Sequence, residues 1–98
     1  MQVLSLRTLR EFWEEYPEAE TPLRAWYTVV TKARWGNFAE VRASFGTADA
    51  IGDSRIIFNI GGNKYRIVAR VAYDPFYRMM IKFVGTHRQY DAIDPETV

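Results

Sequence analysis

The stretch RIIFNIGGNKYRIVARVAY, residues 55–73, decides how this chain is read. From Arg55 to Ile60 the pattern alternates, with Ile56, Phe58 and Ile60 on one side and Ile57 and Asn59 on the other. A period of two is that of a β-strand, whose successive side chains point to opposite faces. Gly61-Gly62-Asn63 is a tight hairpin signal. Lys64 to Tyr73 alternates again, with Tyr65, Ile67, Ala69, Val71 and Tyr73 opposed to Lys64, Arg66, Val68, Arg70 and Ala72. Asp74-Pro75 is a turn. Arg78 to Gly85 reads as a third strand, with Met79, Ile81 and Phe83 opposed to Arg78, Met80, Lys82 and Val84. The expectation is a three-stranded antiparallel meander with one apolar face packed and the other carrying cations.

Towards the N-terminus the period lengthens. Val3 and Leu4 suit a short first strand. Ser5 is placed to cap a helix bearing Leu6, Leu9, Trp13 and Tyr16, which Pro17 ends. Thr21-Pro22 predicts a second helix start, with Leu23, Trp26, Tyr27, Val30 and Ala33 as its apolar stripe. Asn37 with Glu40 resembles a capping box, opening a short helix with Phe38, Val41 and Phe45 inward and Gly46 as its stop. Beyond the meander, Thr86 with Gln89 predicts a short last helix that Pro95 closes. The fold class is therefore α+β: a small antiparallel sheet packed on N-terminal helices, with a short C-terminal helix. The aromatic stripes belong to its core.

With 98 residues the chain suits a single domain, residues 1–98. It has no cysteine, so a disulfide scaffold, a thiolate zinc site and a cysteine nucleophile are excluded. One histidine with scattered carboxylates predicts no metal site and no cofactor. No apolar run reaches the length of a membrane span. The opening Met-Gln-Val-Leu-Ser-Leu lacks a basic n-region and a cleavage site, so a cytoplasmic address is expected. Charge is unevenly spread. Residues 1–20 set Arg7 and Arg10 against Glu11, Glu14, Glu15, Glu18 and Glu20, whereas residues 55–90 hold seven lysines and arginines against Asp74 alone. Such asymmetry points to a half that binds a polyanion.

The cations of the second half form a pattern. Lys64 and Arg66 share a strand face, Lys82 can join them from the next strand, and Asn59 from the other side. A planar guanidinium fork beside lysine charges suits phosphate. Arg70, on the same face, and Arg88, beside the histidine, extend the RNA-binding set. His87, the only histidine, follows a strand at the start of a capped turn of helix. Tyr90 shares its helix face, and Asp91 is placed to hydrogen-bond the imidazole. Histidine titrates near neutrality and suits proton transfer.

These residues carry a resemblance. Phe58 to Val68 is similar to the central hairpin of HigB-type toxins of the RelE superfamily. Phe83-Val84-Gly85-Thr86-His87-Arg88-Gln89-Tyr90-Asp91 resembles their C-terminal signature, a Thr-His pair followed by Tyr-Asp. The helix around Trp35, Asn37, Phe38 and Glu40 and the Ala48-Asp49 pair are similar too. The resemblance implies a RelE-like fold and an mRNA interferase toxin of a type II toxin–antitoxin system. It implies a ribosome-dependent, metal-independent endoribonuclease that inhibits translation. The implied partners are mRNA on the ribosome and a HigA-type helix-turn-helix antitoxin, with the toxin–antitoxin complex a higher oligomer and no membrane involved. Arg66 takes the place of the superfamily's phosphate-contacting arginine. His87 stands where a second catalytic arginine is found, and Tyr90 corresponds to a C-terminal tyrosine, at shorter spacing. With Lys64 added from the cationic strand face, the expected catalytic set is His87, Arg66, Tyr90 and Lys64. Two other readings use the same fold: a toxin that acts by protein contact, as gyrase-poisoning relatives do, and an RNA- or ribosome-binding module without catalysis.

Overall fold

The computed structural model describes residues 1–98. In chain order the elements are β1 (Gln2–Leu4), α1 (Leu6–Glu15), a 3-10 turn (Pro17–Ala19), α2 (Glu20–Lys32), α3 (Phe38–Ser44), β2 (Asp49–Ile51), β3 (Arg55–Ile60), β4 (Tyr65–Ala72), β5 (Arg78–Thr86) and α4 (His87–Asp91). The fold is α+β, as expected, and consistent with the RelE-like architecture.

The predicted meander is its centre, since β3, β4 and β5 pair antiparallel in sequence order. The sheet is wider than the alternation suggested. Its order is β1-β5-β4-β3-β2, with β1 parallel to β5 at one edge and β2 antiparallel to β3 at the other. Both edge strands have only three residues, too few to show a period.

One sheet face packs on the helices. Ile56, Phe58, Ile60, Tyr65, Ile67, Ala69, Val71, Met79 and Ile81 join Leu9, Phe12, Leu23, Trp26, Val30, Trp35 and Val41 in one buried cluster. An aromatic chain runs through it. Trp35 meets Phe45, Phe45 meets Phe58, and Phe58 meets Trp26, at ring-centre separations of 6.1, 5.2 and 5.4 Å. All three contacts are edge-on, the geometry that opposed ring quadrupoles favour. In α1 the buried stripe is Leu9 and Phe12, with Leu6, Trp13 and Tyr16 along its margins.

Helix starts depart from expectation in detail. Ser5 occupies the N-cap of α1 with φ of 71° and makes no side-chain cap bond. Side-chain capping needs an extended backbone there, and the left-handed reversal out of β1 removes it. Helix α2 starts at Glu20 instead of after Thr21, because the 3-10 turn feeds straight into it. Pro22 then sits third in the first turn, where an amide has no partner to lose. Asn37 does accept from the Glu40 amide at 3.0 Å, but the Glu40 carboxylate accepts from the Gly36 amide, one residue before a true box. Helix α4 ends at Asp91, earlier than Pro95 suggested.

The largest correction lies in β5. Val68 pairs with Phe83 and Ala69 with Ile81, so Lys82 is the extra residue of a β-bulge. A bulge shifts the alternation by one. Phe83 therefore turns to the outer face with Val68. Val84 turns to the core side opposite Ile67, where it packs against the buried cluster. The expected sides of these two residues are exchanged.

Candidate functional site

The strand register arranges the outer face in rows. Arg55, Arg70 and Met80 form one row across β3, β4 and β5. The next is apolar: Ile57, Val68 and Phe83. Then comes a polar row of Asn59, Arg66 and Gly85. Past it the Lys64 carbonyl accepts from the His87 amide at 3.2 Å, which ties the hairpin end of β4 to the start of α4.

Helix α4 is short, so its start must be held from outside. The capping box predicted from Thr86 and Gln89 is complete. Thr86 Oγ1 accepts from the Gln89 amide at 3.2 Å, and Gln89 Oε1 accepts from the Thr86 amide at 2.8 Å. Gln89 Nε2 also donates to the Tyr16 hydroxyl at 3.2 Å, joining α4 to the end of α1. His87 thus has a fixed backbone, while its side chain is 40% exposed. Its Nδ1 lies 3.5 Å from Asp91 Oδ2, an ion-pair distance when the ring is protonated.

Arg66 is the best-defined cation of the face. Its guanidinium carbon lies 4.5 Å from the centre of the Tyr90 ring. It joins none of the five ion pairs in the structure. Its Nε is buried without a hydrogen-bond partner, and so is Asn59 Oδ1 on the neighbouring strand. An arginine held by a ring keeps its fork open to an anion, whereas a carboxylate would compete for it. Phe83 neighbours Tyr90, with ring centres 6.5 Å apart.

Of the residues singled out from sequence, Lys64, Arg66, Asn59, His87 and Tyr90 occupy this end of the outer face. Asn59 is partly engaged, since its amide donates to the Thr47 carbonyl at 3.2 Å. Arg88 is exposed on α4 beside His87. Lys82 sits in the bulge without a register partner. Arg70 stands two rows from Arg66 and is ion-paired to Asp53 at 3.0 Å. Asp53 also binds the buried Arg55 at 2.7 Å, so one carboxylate engages both arginines of that row. No three His, Cys, Asp or Glu side chains assemble into a metal-holding group.

A family model described as HigB_toxin, the RelE-like toxic component of a toxin–antitoxin system, matches residues 19–93. The chain belongs to the HigB toxin family. The mRNA interferase toxin HigB of Escherichia coli K12 is 30% identical over 93 residues, covering 93% of this chain and 88% of that protein. The mRNA interferases HigB of Escherichia coli O157:H7 and Shigella flexneri match with the same identity and coverage. The span of the HigB family model takes in every outer-face residue described above. It leaves out α1 and the residue that follows it, Tyr16, which nevertheless reaches α4 through Gln89. As the toxic component of such a system, a HigB-family chain has an antitoxin as partner. No helix is long and apolar enough to cross a membrane.

Phe83 and Gly85 escaped the sequence reading as contributors to this face. Two signals pointed to them: a glycine inside a strand marks a bulge or a close approach, and Gly85 stands two residues from an aromatic.

Proposed function

We propose that this HigB-family toxin is an mRNA interferase, an endoribonuclease that cuts mRNA on the ribosome at the Arg66–His87 end of its sheet. The observation that carries this reading is Arg66 itself. It is a half-buried arginine laid on Tyr90, with no carboxylate neutralising it. The names of the E. coli and Shigella relatives support it.

The reaction is transesterification within the RNA. A base takes the 2′-hydroxyl proton and the 2′-oxygen bonds to the adjacent phosphorus. The bond from phosphorus to the 5′-oxygen breaks, and an acid protonates the leaving oxygen. The products are a 2′,3′-cyclic phosphate and a 5′-hydroxyl, and neither metal nor water takes part in the step. His87 fills one of the two proton-transfer roles. Arg66 binds the phosphate oxygens as charge develops on them, and Lys64 adds a second positive charge. Tyr90 holds Arg66 and offers an aromatic surface to a nucleobase. Asn59, Lys82 and Arg88 line the path of the strand. Arg70 contributes only when released from Asp53.

The protein partner is a HigA-type helix-turn-helix antitoxin whose acidic segment covers the cationic face, in a complex of higher oligomeric order. The toxin works in the cytoplasm. Incubation with translating ribosomes, followed by mapping of RNA 5′ ends and their chemistry, tests the reading. New 5′-hydroxyl ends that vanish with His87→Ala support it. Ribosome binding or growth arrest without new ends would make the chain a binder.

A further inference from the structure

The bulge at Lys82 has a consequence for the site. It places Phe83 on the outer face, two residues before Gly85 on the same strand. A Cβ on Gly85 would lie 2.5 Å from Phe83 Cζ and 3.0 Å from Phe83 Cε1. The Phe83 ring therefore leans along β5 and occupies the space that any other residue at position 85 would fill. From there it reaches Tyr90 at 6.5 Å, with the rings inclined at 55°. Tyr90 carries Arg66 on its ring. Three features thus stand in series: a glycine that makes room, a phenylalanine that uses the room, and a tyrosine that the phenylalanine touches.

We propose that Phe83, seated over Gly85, is a positioning residue that holds Tyr90 against Arg66 and so aims the guanidinium fork at the scissile phosphate. This rests on the ribonuclease reading above. Arg66 Nε has no hydrogen-bond partner and its guanidinium no ion pair, so nothing polar fixes the fork. The stacked ring does so instead. A tyrosine on a five-residue helix at the protein surface needs an aromatic support, and Phe83 is the ring that touches it from β5.

The test uses the full chain with Phe83→Leu, Phe83→Tyr, Gly85→Ala and the double variant Phe83→Leu/Gly85→Ala. The first readout is the nitrogen–proton spectrum of the Arg66 guanidinium, which the Tyr90 ring current shifts upfield. Phe83→Leu and Gly85→Ala should each abolish most of that shift, and Phe83→Tyr should keep it. The second is single-turnover cleavage of ribosome-bound mRNA as a function of toxin concentration. Phe83→Leu should lower the rate constant by up to about a hundredfold, the scale of an ångström misplacement, with the half-saturating concentration unchanged. Phe83→Tyr should restore the rate. The double variant should be no slower than Gly85→Ala alone, because both changes break the same brace. An Arg66 shift that persists in Phe83→Leu overturns the proposal. So does a raised half-saturating concentration at an unchanged rate constant, which would make Phe83 a direct RNA contact. A wild-type protein that shows the Arg66 shift but never cuts RNA refutes the nuclease reading and leaves the brace standing.

Discussion

At the scale of single residues, two side chains carry the account, and they differ in what their removal should do. His87 is partly exposed and its helix start is capped by Thr86 and Gln89, so the imidazole is not needed for folding. His87→Ala should keep its circular dichroism spectrum while losing about 10²–10⁴ in cleavage rate, the usual contribution of a positioned acid–base group. Arg66 separates charge from shape. Arg66→Lys keeps the charge but loses the planar fork and its fit to the Tyr90 ring. It should lose about 10²–10³ in rate, comparable to removing one donor to a developing oxyanion. Lys64 is exposed and serves as a point charge. In RNA titrations, Lys64→Ala should lower the salt slope by up to about 0.7, the value for one lost phosphate contact on a single strand. A slope equal to wild type would remove Lys64 from the strand's path. These residue types and their spacing could be read directly from the chain. His87 with Asp91, the cap at Thr86 and Gln89, and Arg66 on the cationic side were all legible because each depends on neighbours within a few positions.

At the scale of elements, α4 is the part most dependent on the rest. Its five residues cannot sustain a helix alone, and its cap bonds are its internal support. Thr86→Val removes the hydroxyl that accepts from the Gln89 amide and should cost about 1 kcal/mol, typical of an N-cap. Its effect on cleavage should exceed its effect on the melting temperature, because the helix carries His87 and Tyr90 while contributing no buried side chain. Equal relative effects would mean that α4 is not where the chemistry sits. This is also where sequence reading failed. Alternation assigned Phe83 to the core, since a strand without interruption would put it there with Met79 and Ile81. A bulge depends on how two strands pair, which is not visible in either strand alone. The same reason hid β2, whose three residues are a strand only because β3 lies beside them. Likewise Arg70 looked like part of the cationic site until the turn before β3 brought Asp53 against it.

At the scale of the whole molecule, the charge asymmetry becomes a difference between layers. Glu11, Glu14 and Glu15 are exposed on α1, which packs on the inner side of the sheet, and the outer face bears Lys64, Arg66 and Lys82. On the proposed function an RNA strand should be drawn to the sheet and not to the helices, and raising ionic strength should slow association. The core has its own titration signature. Burial first, and the Glu18 carboxylate beside it second, raise the Tyr65 pKa above its ordinary value, and burial raises that of Tyr73. For an acid whose folded pKa is raised, the neutral form favours the folded state. That stability is complete below the unfolded pKa near 10 and is lost as pH climbs towards the folded value. Urea midpoints should therefore fall steeply above pH of about 10, and Tyr65→Phe should flatten that fall. A wild-type slope in Tyr65→Phe would show that the phenol does not drive it.

On the proposed function, the mostly antiparallel sheet of this HigB-family toxin presents a phosphate-binding arginine and a histidine that together cut RNA. The most direct measurement is the chemistry of RNA ends produced from translating ribosomes by purified wild-type protein and by folded His87→Ala and Arg66→Lys. The expected result is new 5′-hydroxyl ends paired with 2′,3′-cyclic phosphates, undiminished by chelation under conditions that keep ribosomes intact, and strongly reduced in both variants. New ends carrying a 5′-phosphate, or cleavage at the wild-type rate by either folded variant, would contradict it.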